Sequence, residues 1–155
     1  MVALRSARRW TQRHRSGLGP GSEKRISSCA ATLCDWAVDV GAGHGELCLY
    51  LLNLHLNGED TNGRLRVLNK LVGTCPRAEY VTLDSLELDR RKGGFIKIDV
   101  DGPECDVLDS GTSLLTEAKV CLLVETHSYS LEQDCTERLV SLGYSCTIIR
   151  NAGGG

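Results

Sequence analysis

Residues 36–45 join a short, mostly apolar run to a turn that contains three glycines. Trp36–Val40 has the length and composition of a buried parallel strand, and Gly41, Gly43 and Gly45 follow it directly. Beyond the turn, apolar side chains recur at helical spacing at Leu47, Tyr50, Leu51 and Leu54. A strand, a glycine turn and a helix in this order direct backbone N–H groups and a helix N-terminus at a ligand. The segment predicts an α/β protein with a ligand site after this strand; a tight turn without a ligand is the alternative.

Strand-like and helix-like segments continue to alternate along the rest of the chain. Three more strand-like runs occupy residues 95–100, 120–124 and 144–149. Pro103 and Glu104 mark a helix start, and Gly111 predicts a break in the helical pattern that follows. Residues 130–133 have the pattern of a capping box before a further helix, which Gly143 ends. Repeated β–α–β units predict an open, mostly parallel sheet with helices on both faces.

Polar residues stand where three of the predicted strands end. Asp39 closes the first strand, Asp99 and Asp101 follow the next, and Glu125 and His127 follow the one after. Ligands of open parallel sheets bind at the carboxyl ends of the strands. We therefore expect these five residues to contribute to one site.

The spacing of the glycine turn separates two classes of cofactor. A dinucleotide site requires a small residue at the last position of G-x-G-x-x-G/A, where this chain has Glu46. A carboxylate beside a pyrophosphate has the wrong sign, so a nicotinamide-dependent oxidoreductase is a distant alternative. Asp39 followed by Gly41, Gly43 and Gly45 instead suits a cofactor that carries a cationic sulfonium and an ammonium group.

Five segments together carry a family resemblance. They are VDVGAGHGE at 38–46, RLRVLNKLVG at 64–73, VTLDSL at 81–86, IKIDVDGPE at 96–104 and LLVETH at 122–127. In this order they resemble the FkbM-like methyltransferases over about residues 36–145. The resemblance implies a Rossmann-like class I methyltransferase fold that binds S-adenosyl-L-methionine. It also implies O-methylation of a hydroxyl on a sugar or another small-molecule or natural-product acceptor.

The resemblance and the chemistry of methyl transfer assign roles to individual residues. The predicted cofactor-binding residues are Asp39, Gly41, Ala42, Gly43, Gly45, Glu46 and Asp99. Methyl transfer needs alignment and, for a hydroxyl acceptor, a base. His127 is the predicted base because imidazole titrates near neutral pH, and Glu125 would orient it or hold the substrate. Asp99 would accept from the amino group of the cofactor or bind the acceptor. The alternative for His127 is a strand-end histidine satisfied by the backbone, and no metal ligands are predicted.

The chain departs from the family between Tyr50 and Arg64. The family has a second strand there, whose terminal acidic residue holds the ribose hydroxyls of the cofactor. About thirty residues are missing by comparison, close to the size of one β–α unit. Glu59 and Asp60 lie near the expected offset for such an acid and are candidate replacements; two solvated acids in a turn are the alternative. A smaller departure is Asp101, where the family usually has Glu. The fold is therefore predicted to be abbreviated around the second strand.

Charge divides the chain into three regions: 1–25, 26–150 and 151–155. Residues 1–25 carry seven basic side chains and one acid, which with an overall net charge of −2 leaves −8 on the other 130 residues. We predict a basic, poorly ordered N-terminal segment, a methyltransferase-like domain and a glycine-rich tail. The acidic balance of the domain argues against a nucleic-acid partner.

Two further features exclude other classes of protein. The longest run without Asp, Glu, Lys or Arg has twelve residues, too few to span a bilayer. The eight cysteines form no C-x-x-C pair, so zinc knuckles and thioredoxin-like sites have no support. Reduced, mostly buried thiols and a cytoplasmic location are expected. The alternative function is a degenerate methyltransferase fold that binds no cofactor and acts as an interaction or regulatory domain.

Overall fold

The computed structural model describes residues 2–6, 35–41, 66 and 68–149. Its strands are β1 (Val2–Ser6), β2 (Trp36–Val40), β3 (Leu71–Val72), β4 (Tyr80–Val81), β5 (Gly93–Ile98), β6 (Lys119–Val124) and β7 (Tyr144–Ile148). Its α-helices are α1 (Glu104–Asp109), α2 (Thr112–Glu117) and α3 (Tyr129–Ser141), and a 3₁₀ turn covers Leu83–Ser85. None of the helices in these parts of the chain has the length and apolar composition needed to cross a bilayer.

Five of the described strands form one mixed sheet in the order β2-β5-β6-β1-β7. Strands β2, β5 and β6 pair in parallel, whereas β1 is antiparallel to both of its neighbours. Since β7 is antiparallel to β1, it runs in the same direction as β6. The predicted α/β class is confirmed, and the parallel part of the described sheet is small, since two of its four pairings are antiparallel. Strands β3 and β4 form a separate two-stranded parallel sheet.

The antiparallel strand comes from the basic N-terminal segment that was predicted to lie outside the domain. Val2–Ser6 lies between β6 and β7, with Leu4 opposite Leu122 on one side and Cys146 on the other. Because β6 and β7 run in the same direction, one antiparallel strand satisfies the facing backbone groups of both. Five residues of the segment therefore belong to the sheet, and residues 7–25 lie outside the described residues.

The core lies on one face of the sheet, against the helices. Alternate residues of the parallel strands point to this face. Those from the strands are Val40, Ile96, Ile98, Val120, Leu122 and Val124, and those from the helices are Val107, Leu108, Leu114, Leu115, Cys135 and Leu139. All are nearly or completely excluded from solvent. Each of the three described helices thus covers the same face, and the helix predicted after the glycine turn lies outside the described residues.

The intervening residues of the same strands point to the other face. Phe95 and Leu123 are buried there without belonging to the helix-covered core. Asp39 and Lys97 share this face and lie directly opposite each other in the parallel register of β2 and β5. The charged pair of Asp39 and Lys97 therefore shares this face of the sheet with the buried apolar residues Phe95 and Leu123.

The ends of the helices agree only partly with the sequence patterns. Gly111 separates α1 from α2 as predicted, and Gly143, with a φ of 87°, follows the end of α3. The predicted capping box at 130–133 is wrong by two residues, because Ser128 caps α3 and accepts a hydrogen bond from Leu131 N at 3.2 Å. Leu131 stands three residues after Ser128, so this serine caps α3 without the Glu or Gln that completes a capping box.

Candidate functional site

The carboxyl ends of β2, β5 and β6 lie side by side at one edge of the sheet. The parallel ladder continues one step past the strands, since Asp99 N donates to Val40 O and Glu125 N donates to Ile98 O, both at 2.9 Å. The polar residues at or beside these ends are Asp39, Lys97, Asp99, Asp101, Glu125 and His127. We call these six residues the carboxyl-end cluster. Five of them were predicted to share a site, and the register of the strands brings their backbones together.

Lys97 is the residue of the cluster to which the sequence assigns no role. Its Nζ donates to Asp99 Oδ2 at 2.9 Å and lies 3.6 Å from Asp39 Oδ1. Both contacts follow from strand geometry, because Asp99 is two residues further along and Asp39 is directly opposite. Two carboxylates predicted to bind a cofactor therefore share one ammonium group. The sequence indicates such a pairing only through the presence of a lysine within an apolar strand, because a charge that is buried in a sheet requires a partner.

Burial and the neighbouring opposite charge shift the pKa values of Asp39 and Lys97 in opposite directions. Burial raises the pKa of the Asp39 carboxyl above its ordinary value, and nearby Asp99 adds to the rise, while Lys97 works in the opposite direction. Burial alone would lower the pKa of Lys97, yet its contacts with Asp99 and Asp39 outweigh this and raise the pKa. The lysine is therefore held in its charged form, and Asp39 is stabilised as a carboxylate mainly by that lysine.

One oxygen of Asp39 is left without a hydrogen bond. The Asp39 side chain is 11% exposed, and its Oδ1 is buried with no hydrogen-bond partner. The nearest cation, Lys97 Nζ, lies just beyond hydrogen-bonding distance at 3.6 Å. Buried polar atoms are normally satisfied, so Oδ1 is an acceptor with capacity for a further N–H or O–H donor.

His127 approaches the cluster from the end of β6. Its Nε2 lies 3.8 Å from Asp99 Oδ1 and 3.6 Å from Asp101 Oδ1, beyond hydrogen-bonding distance but within range of an ion pair with imidazolium. The imidazole is 48% exposed. Asp99 thus has Lys97 on one oxygen and His127 near the other. Glu125 was predicted to orient His127, but the carboxylates beside the imidazole are Asp99 and Asp101.

Gly41, the residue after β2, lies directly against the end of β5. Its φ is 81°, a conformation that favours glycine. A Cβ built on Gly41 would overlap the Asp99 carbonyl oxygen and lie 2.8 Å from Val100 Cγ1. The predicted need for glycine at this position is thereby explained by close approach of two backbones as well as by φ.

Glu104 is a buried acid that the sequence indicates only as part of a helix start. It opens α1, is fully excluded from solvent, and accepts a hydrogen bond from Gly102 N at 3.3 Å through Oε1. Its Oε2 has no partner. Gly102 itself has a φ of 111°, which turns the chain between Asp101 and α1. In the sequence, the buried contact between Glu104 and the Gly102 backbone is indicated only by a carboxylate that stands two residues after a glycine.

The remaining predicted cofactor residues lie outside the described residues. These are Ala42, Gly43, Gly45 and Glu46, together with the candidate ribose-binding acids Glu59 and Asp60. Within the described ranges, no group of three or more His, Cys, Asp or Glu side chains has the arrangement of a metal site.

The charge of the cluster restricts the ligands that it favours. With His127 neutral, four carboxylates and one ammonium group give a net charge of −3. The carboxylates accept hydrogen bonds, and the half-exposed imidazole can exchange a proton with solvent or a ligand. The arrangement therefore suits a cationic or hydrogen-bond-donating ligand better than a phosphate.

Comparison with known proteins found no match. No protein-family model, curated protein or solved structure matches this chain.

Proposed function

We propose that this chain is an S-adenosyl-L-methionine-dependent methyltransferase with a Rossmann-like class I fold abbreviated around its second strand. Its acceptor would be a hydroxyl on a sugar or another small molecule. The observation that carries the proposal is the packing of Gly41, the residue after β2, on the Asp99 backbone at the end of β5. The parallel pairing of β2 with β5 places two predicted cofactor-binding acids, Asp39 and Asp99, at the same edge of the sheet.

The charge of this edge supports a sulfonium cofactor over a dinucleotide. A net charge of −3 in the carboxyl-end cluster favours a cationic ligand and disfavours a pyrophosphate. The orphaned Asp39 Oδ1 fits a ligand N–H donor, a group that S-adenosylmethionine carries on its amino-acid portion. The same oxygen offers nothing to a phosphate, which also presents acceptors.

S-adenosylmethionine would supply an electrophilic methyl group on sulfur, and the protein would supply alignment and a base. Asp39 would hold the ammonium group, and Asp99 would accept from the cofactor or from the acceptor hydroxyl. His127 would remove the hydroxyl proton through Nε2. Asp99 and Asp101, at 3.8 and 3.6 Å, would stabilise the resulting imidazolium. Exposure of the imidazole gives the proton a route to solvent.

Calorimetric titration tests the proposal directly. The folded chain should bind S-adenosylmethionine and S-adenosylhomocysteine with micromolar Kd and should not bind NAD. Asp99→Asn keeps the shape of the side chain but removes its charge, and we expect at least a tenfold loss of affinity for S-adenosylmethionine. The matched control is Asp134→Asn, an exposed position on α3 away from the sheet edge, which should bind like the parent. A folded chain that binds neither compound would overturn the proposal.

A second candidate function is an interaction or regulatory domain that retains the fold without binding cofactor. The observation that favours it is Lys97, which already engages both Asp39 and Asp99 within the chain. Under this alternative the carboxylates serve the stability of the sheet. Crosslinked or co-purified partners together with absent binding of S-adenosylmethionine would support it, and micromolar binding of S-adenosylmethionine would exclude it.

A further inference from the structure

Two cysteine sulfur atoms are in contact between neighbouring helices. Cys105 Sγ on α1 lies 3.7 Å from Cys135 Sγ on α3, and both cysteines are free thiols. A disulfide requires about 2.05 Å between the sulfur atoms, so rotation of the two side chains and a small helix adjustment would close the gap. The sequence predicts mostly buried thiols without pairing, because helical spacing alone does not show that positions thirty residues apart meet.

The two thiols differ in burial. Cys135 is fully buried, whereas Cys105 is partly exposed. Burial, together with the hydrogen-bonding contact with Cys105, raises the pKa of Cys135 to about 12, so this cysteine remains a thiol at neutral pH. An oxidant from solvent therefore reaches Cys105 first.

We propose that Cys105 and Cys135 form a redox-active pair that hydrogen peroxide converts into an intramolecular disulfide joining α1 to α3. The Cys105 thiolate attacks one peroxide oxygen, the O–O bond breaks, and hydroxide leaves, giving a sulfenic acid. This hydroxide takes up the proton that Cys105 released and becomes the first water. The Cys135 sulfur then attacks the Cys105 sulfur, an S–S bond forms and the S–O bond breaks. The leaving hydroxide takes the Cys135 proton as water. Two thiols are oxidised, one peroxide is reduced, and two waters form.

The position of the pair gives the disulfide a structural consequence. Cys105 is the second residue of α1 and directly follows Glu104, whose Oε1 accepts from Gly102 N. A bond to Cys135 would therefore anchor the start of α1, and the turn after Asp101, to the longest described helix. The proposal concerns the helices alone and does not depend on the proposed methyltransferase activity.

Oxidation of the full chain with peptide mapping tests the proposal. The reduced, folded protein is treated with a small excess of hydrogen peroxide, free thiols are alkylated, and the digest is analysed by mass spectrometry without reduction. We expect a crosslinked Cys105–Cys135 peptide and a melting temperature raised by roughly 5–10 °C, both reversed by dithiothreitol. Cys105→Ser should abolish the crosslink, and the matched control Cys146→Ser should retain it.

A second variant tests the order of the two steps. In Cys135→Ser the sulfenic acid on Cys105 has no thiol partner, so a sulfenic-acid-trapping reagent should label Cys105 at least tenfold more than in the parent. Circular dichroism establishes that each variant is folded; if Cys135→Ser is not, Cys135→Ala serves instead. Formation of only intermolecular disulfides, or oxidation of Cys105 to sulfinic acid without a crosslink in the folded parent, would overturn the proposal.

Discussion

Replacement of Lys97 by methionine tests the electrostatic description of the carboxyl-end cluster. Methionine keeps the length of the side chain but removes the ammonium group that lies 2.9 Å from Asp99 and 3.6 Å from Asp39. Two carboxylates at one sheet edge then lose their common cation. We expect the variant to fold with a lower free energy of unfolding at pH 7.

The size of the effect follows from the distances and the exposure. At an effective dielectric constant of about 20, each of the two attractions is worth roughly 5 kcal/mol before the cost of dehydrating Lys97 is subtracted. Removal of one partner from a fully buried pair costs about 3–5 kcal/mol. The Lys97 and Asp99 side chains are 25% and 34% exposed, so water screens part of the interaction. We therefore expect a loss of about 2–3 kcal/mol.

The loss should depend on pH with a defined sign. The folded-state pKa of Asp39 is raised, so the folded protein binds this proton more tightly than the unfolded chain does. Stability consequently falls as the pH rises from about 3.8 through the folded pKa of Asp39. Without Lys97 this pKa rises further, since the cation that lowers it is gone. The deficit of the variant should therefore be smaller at pH 4 than at pH 7.

Urea unfolding followed by circular dichroism at both pH values measures these quantities. The double variant Lys97→Met/Asp39→Asn should recover at least about 1 kcal/mol at pH 7, because it removes the uncompensated buried carboxylate. Lys92→Met is the matched control: its ion pair with Asp35 spans 3.9 Å between exposed side chains and should matter by less than about 0.5 kcal/mol. A Lys97→Met loss below about 0.5 kcal/mol at pH 7, or an equal loss at pH 4, would refute the reasoning.

Three other substitutions test separate parts of the structure. Gly41→Ala combines an unfavourable φ with overlap on Asp99 and should cost at least about 2–3 kcal/mol in urea unfolding, whereas Gly102→Ala has open space and should cost only about 1 kcal/mol; equal losses would contradict the close approach. Asp84→Ala removes a carboxylate that accepts from two N–H groups in the first turn of α2, at 3.1 and 2.6 Å, and should cost about 1–2 kcal/mol by the same assay; a change below about 0.3 kcal/mol would contradict this role. His127→Gln should lower kcat about 10²-fold and remove the acid-side ionisation from the pH profile, because a base loses activity when it is protonated, while the Kd for S-adenosylmethionine stays within twofold; an unchanged pH profile would remove His127 as the base.

The strands of the parallel sheet could be predicted closely because each is a short, mostly apolar run. Trp36–Val40 is observed with the predicted bounds, and the run predicted at 120–124 forms β6 with one additional residue. Val2–Ser6 was missed because the Arg-rich composition of residues 1–25 conceals five residues that can form a strand. Whether a short segment such as Val2–Ser6 pairs depends on two strands that are distant in the sequence, β6 and β7, running in the same direction with space for one strand between them. Local periodicity does not encode this arrangement.

The candidate site could be predicted as a location but not as a set of contacts. Parallel strands must bring their carboxyl ends to one edge, and this principle placed Asp99 and His127 near each other in advance. The pairing of Lys97 with Asp39 depends on the exact register between β2 and β5. A shift of one residue would move Lys97 to a position opposite an apolar side chain. Register is a property of the assembled sheet, so the ion pairs become visible only in the structure.

Lys97 also makes the stability of the sheet and the binding of a cationic ligand compete for the same oxygens. Asp99 Oδ2 already accepts from Lys97, whereas Asp39 Oδ1 has no hydrogen bond and Asp99 Oδ1 faces the half-exposed His127. A ligand that donates to these two oxygens can bind without breaking the hydrogen bond from Lys97 to Asp99 Oδ2, and its donor to Asp39 Oδ1 would lie beside the ammonium group, which is 3.6 Å from that oxygen. A ligand that needs Asp99 Oδ2 must first break a 2.9 Å charged hydrogen bond, which lowers its affinity by the free energy of that bond. The methyltransferase proposal therefore requires a cofactor that donates to Asp39 Oδ1 and Asp99 Oδ1. Under the interaction-domain alternative, the carboxylates of the cluster serve only to balance the charge of Lys97 within the fold.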